Sequence, residues 1–166
     1  MSELAVAAAE AEELASAGSE RELAALRARW DDELEGSARS TDFRERAVAY
    51  RAIGQFRYRQ KLELLRRGLE DESPAARGSA LLSLELLSRD GPAPVNADRS
   101  LLHTLAAHDP NATVRRLAIL CLKNGSPQRD TIVMLEGIAD DDEQQRELRE
   151  MAKRVAALLT KKSRQR

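Results

Sequence analysis

Two histidines, one cysteine and one run of acids carry the side chains with which this chain might do metal or acid–base chemistry, and their spacing argues against both. His103 and His108 lie five residues apart, about 140° around a continuous helix, so they do not converge on one ion. Asp109 and Cys121 follow them in sequence without a zinc-like spacing. Asp140, Asp141, Asp142 and Glu143 lack the alternating acids and the glycine of a calcium loop; capping and the helix dipole account for acids ahead of a helix. No phosphate-binding glycine loop or activated serine arrangement occurs. The sequence therefore predicts no catalytic residue, no metal, no cofactor and no enzymatic activity.

Positive charge offers a second chemistry. Arg57, Arg59, Lys61, Arg66 and Arg67 are interleaved with Phe56 and Tyr58, a mixture that suits phosphate contact and base stacking. The same residues straddle a helix-to-helix turn, where aromatics close a core and cations stay solvated. The C-terminal Lys161, Lys162, Ser163, Arg164, Gln165 and Arg166 make a basic tail; cations also favour a helix C-terminus for electrostatic reasons alone.

The elements that position these residues are helical. Hydrophobic residues make up 42% of the 166 positions and aromatics 3%, so an aliphatic core must form by close helix contact. Apolar spacing is helical in every segment, for example Leu62, Leu65 and Leu69. Breaks are expected at 17–19, 35–37, 72–74, 90–98, 108–110, 124–128 and 140–142, with one more near 57–60. Residues 89–98, with Gly91, Pro92 and Pro94, suit an extended connection. The Ala-rich run from Leu4 to Leu14 is interrupted by glutamates and has no basic leader, so neither a signal peptide nor a membrane span is expected. A single cysteine permits no internal disulfide, and a reducing, cytoplasmic location is expected. Charge is uneven: residues 1–35 hold ten acids and three bases, whereas residues 36–166 carry a net +6.

Four helices open alike. An apolar residue is followed by Arg, with Ala three positions later: Phe43, Arg44 and Ala47; Ala76, Arg77 and Ala80; Val114, Arg115 and Ala118; Leu148, Arg149 and Ala152. Asp71 and Asp109 precede their arginines by six residues, Glu143 stands at that offset in the fourth unit, and Ala38 stands there in the first. The stretches LEDESPAARGSALLSLELL and LAAHDPNATVRRLAILCLKNG carry the pattern best. It resembles the HEAT-repeat family over about residues 42 to 160.

That resemblance implies an all-α, right-handed α-α superhelix of about four helix pairs with an extra N-terminal helix. Residues 1–35 would be an acidic cap and first helix, 36–160 the repeats and 161–166 the tail. The repeated arginines would then be structural, reaching turn carbonyls and the turn aspartate. The resemblance also implies a concave wall lined by the second helix of each pair. Counting from the apolar residue before each Arg, positions 2, 6 and 9 point outward. The outward strip includes Ala49, Leu82, Glu85, Arg116, Leu120, Lys123 and Arg154, and the expected function is a protein-binding scaffold or adaptor that takes a partner helix or peptide there. The alternative is a nucleic-acid-binding stack using Arg57, Arg59, Lys61, Arg66 and Arg67.

Overall fold

A computed structural model describes residues 1–165; Arg166, the last residue of the expected basic tail, lies outside them. Helix makes up 78% of the described residues, and no strand occurs among them. The chain divides into two compact units, Met1–Leu87 and Ser88–Arg166.

The first unit holds α1 (Glu3–Ser16), α2 (Glu20–Ala38), α3 (Phe43–Gln55), α4 (Leu62–Leu69) and α5 (Pro74–Leu87). Local chemistry sets most of these ends. Ser2 caps α1 by accepting from the Ala5 amide, and Gly18 leaves it at φ +73°. Asp42 caps α3, and Pro74 opens α5, where a missing N–H is no loss. The expected break at 35–37 is absent, because α2 continues to Ala38. Leu34 and Ala38 are both buried four residues apart, and that anchoring outweighs the roughly 1 kcal/mol that Gly36 costs inside a helix.

The core of this unit lies between α3 and α5. A Cβ on Gly54 would stand 2.7 Å from the Ser83 backbone, so only glycine allows this approach. Ser83 Oγ accepts from the Gly54 amide and donates to the Tyr50 carbonyl, which satisfies a buried hydroxyl. Phe56, Ile53, Leu81 and Leu84 close the interior around it, each worth about 1.5–3 kcal/mol of burial.

The second unit holds α6 (Ala93–Ala97), α7 (Arg99–His108), α8 (Ala112–Leu122), α9 (Arg129–Asp140) and α10 (Arg146–Arg164). The segment expected to be extended contains α6, a single helical turn. Its prolines sit at the start, where no backbone donor is required. The turn is held by Asn96, which donates to Ser126 Oγ at 2.8 Å and accepts from the Ser126 amide at 2.9 Å.

The repeat is present with its first register corrected. Arg77 Nη1 donates to the carbonyls of Asp71 and Glu72, six and five residues back. In the first unit the residue that does this is Arg46, donating to Ser40 and Thr41, rather than Arg44, which lies over the Phe43 ring. Ser40 Oγ accepts from the amide two residues on, as the Oδ1 atoms of Asp71, Asp109 and Asp141 do, so the turn acid of the fourth unit is Asp141 and not the expected Glu143. Serine makes this turn as aspartate does, so a search for acids alone misplaces the first repeat by two residues. The close-packed alanine is then Ala49, not Ala47, and Ala49 is as buried as Ala80, Ala118 and Ala152. The displaced Phe43 is exposed.

Candidate functional site

The residues with metal or acid–base potential are separated by the fold. His103 Nε2 shares a 2.8 Å hydrogen bond with Thr131 Oγ1, and burial holds its imidazole below the ordinary 6.5. His108 ends α7 in solvent and Cys121 is buried within α8. Asp141 forms its turn, and Asp142 lies 3.3 Å from Arg149. Among the described residues no three His, Cys, Asp or Glu side chains come together as a metal site.

The basic run is largely taken up by the fold. Arg57 Nη1 donates to the Gly54 carbonyl and Arg59 Nη1 to the Leu87 carbonyl, each at 2.8 Å, so both guanidinium groups serve helix ends. Arg57 itself makes the unmarked turn at φ +54°. Lys61, with only 10% of its side chain exposed, lies between Asp31 and Glu35 and against the Tyr58 ring. Burial pulls its ammonium down, but the two carboxylates outweigh this and raise it above 10.5. Phe56 is fully buried, so it offers no stacking face. Arg59, Arg66 and Arg67 are the exposed members of this set, and Arg59 is the one of the three tied to a helix-end carbonyl. The five cations and two aromatics therefore do not form one phosphate-binding surface.

The outward strip is also divided. Ala49 is 0% exposed and leaves the candidate surface, because the register correction carries it into the packed alanine position. The residue that replaces it in the strip is Arg51, which lies 3.7 Å from Glu12 of α1. Leu82 is 42% exposed on α5, with Glu85 half-buried one turn on.

In the second unit α8 and α10 pack side by side. Arg116 Nη1 bonds Glu147 at 2.7 Å, and Lys162 Nζ donates to the Lys123 carbonyl at 2.8 Å. Between these two cross-links, helical spacing places Leu120 on α8 and Arg154 and Leu158 on α10. Leu120 is half-buried, Arg154 exposed and Leu158 45% exposed. The result is an apolar patch bordered by Arg116, Lys123, Arg154 and Lys162, with Glu147 as its acid. Leu158 and Lys162 were absent from the sequence-derived set, although both follow Arg154 at four-residue steps and the same periodicity points to them.

A second concavity, of about 970 Å³, lies between α9 and α10 on another side of α10 and is lined in part by Ala139, Lys153, Ala157, Thr160 and Lys161.

A family model described as HEAT repeats matches residues 34–123, more than half of the chain. No curated protein matches it.

Proposed function

The chain belongs to the HEAT-repeat family, and from that premise we propose that it is a non-catalytic adaptor whose α8–α10 face takes an amphipathic helix or peptide of a protein partner. HEAT repeats are generally protein-interaction scaffolds. The observation that carries the reading is the pair Leu120 and Leu158, apolar and accessible inside a border of four cations. An apolar ridge with acidic flanks is the complement of that surface. Leu82 and Glu85 on α5, in the first unit, are a further candidate contact. No described helix is long and apolar enough to cross a membrane, and the reading places the chain in the cytoplasm, where the buried thiol of Cys121 stays reduced.

The test is Leu120→Asp combined with Leu158→Asp, applied to affinity capture from the source organism. The double variant keeps the helical circular dichroism of the parent and retains the partner about tenfold less or worse. Equal retention by a folded double variant removes this face from the function. Retention that survives physiological salt separates protein binding from the phosphate-driven alternative, which collapses as salt rises.

A further inference from the structure

We propose that the chain associates with a second copy of itself, with α1 of one molecule seated in the α9–α10 groove of another. This contact uses a different side of α10 from the adaptor face and does not depend on it.

The groove has unbalanced walls. Arg146 is bonded to Glu150, and Arg149 is engaged by Asp142 and by the Ala139 carbonyl. Lys153, Lys161 and Arg164, also on the α10 wall, are exposed and have no bonded acid among the described residues. The α9 wall adds Glu136 and Asp140. An incoming helix must therefore bring its acids toward α10, and the small side chains of Ala139, Ala157 and Thr160 in the groove lining leave room for its side chains.

The outer face of α1 has that form. Its inner residues Leu4, Ala7, Ala8 and Ala11 are buried. At about 100° per residue, Glu3 and Glu10 share one outer edge and Val6 and Glu13 lie along the middle, while the other edge carries Ala5, Ala9 and Glu12, the last already held by Arg51 and Gln55. Val6 is 55% exposed, and Glu3, Glu10 and Glu13 make no ion pair among the described residues. α1 contains no lysine or arginine, so nothing on the helix offsets its charge. Opposite patches of this kind attract at long range when salt is low, and a contact between two different surfaces passes from copy to copy.

Sedimentation equilibrium of the full chain decides the matter. At low ionic strength the mass rises above the 18.4 kDa of one chain, and it falls back as salt shortens the Debye length to about 8 Å. Glu10→Lys with Glu13→Lys weakens the association about tenfold or more, and Lys153→Glu with Lys161→Glu does the same. The chain carrying all four exchanges associates again, which shows that neither pair acted by unfolding. A wild-type chain that stays monomeric at low salt, a pair of reversals that leaves association unchanged, or a fourfold variant that stays monomeric overturns the proposal. Loss with the groove variants but not with the α1 variants points to a groove-to-groove dimer and overturns it equally.

Discussion

Residues 57–61 and helix α10 are both dense in lysine and arginine, yet the fold uses them in opposite ways. In the first, three cations are spent on the chain itself, two on helix-end carbonyls and one between two carboxylates. In the second, Lys153, Arg154, Lys161 and Arg164 stand in solvent along a helix whose apolar side is buried. Charge density in a sequence measures what a segment has, and the backbone it meets decides what remains for a partner. Orphan carbonyls at a helix end draw nearby guanidinium groups because an unsatisfied buried acceptor costs about 1–3 kcal/mol. The middle of a long helix has no such acceptors.

The contrast breaks most readily at Lys61. Lys61→Ala strands Asp31 and Glu35 together and is expected to cost about 1.5–3 kcal/mol, the range for hydrogen bonds to charged groups. Thermal unfolding measures it, and a variant as stable as the parent places Lys61 with the solvated cations instead.

Acid is expected to separate the two units in sequence. His103, in residues 88–166, has its folded value depressed, so its contribution is intact above the ordinary 6.5 and is lost as pH falls through the folded value. In residues 1–87, Glu35 is held below the ordinary 4.5 chiefly by the Lys61 hydrogen bond. Burial pushes Asp71 up, but hydrogen bonds from Arg46 and the Ser73 amide outweigh it and hold the carboxyl below 3.8. Both acids therefore stabilise the fold above pH 4 or so and release that stability below it. Melting temperature against pH is expected to fall in two stages. His103→Asn flattens only the stage below neutrality, and Asp71→Asn only the more acid one. A profile in which either substitution flattens both stages denies the separation.

The smallest expected effect completes the contrast. Lys153→Ala and Lys161→Ala should each change stability by no more than about 0.5 kcal/mol, as for solvated surface positions. A larger loss in denaturant melts would mean that Lys153 and Lys161 are committed internally, as Arg149 and Lys162 of the same helix are.

Much of the architecture was legible from residue types. Helical spacing, capping residues and the Asp-to-Arg offset of 71 to 77 and 109 to 115 gave the helices and the repeat, because those signals act within a few residues of chain. The break near residues 57–60 was expected although neither glycine nor proline marks it. The first repeat was misplaced because Ser40 does the work of an aspartate, and the short α6 was missed because prolines at a helix start look like those of an extended linker.

The candidate surface was harder to see. Arg116, Leu120, Lys123 and Arg154 were found by periodicity and lie on accessible helix faces, whereas Ala49 was lost through a two-residue error that turns a helix by about 200°. Four-residue steps from Arg154 also reach Leu158 and Lys162, but only the contacts of Arg116 with Glu147 and of Lys162 with the Lys123 carbonyl, spanning 31 and 39 residues, bring α10 alongside α8.

The sequence by itself determined that this chain is helical and which family it belongs to, because both follow from neighbours along the chain. Only the tertiary structure decided which cations remain available. A guanidinium is committed when a distant carbonyl or carboxylate comes within about 3 Å of it, and that distance is set by how helices pack.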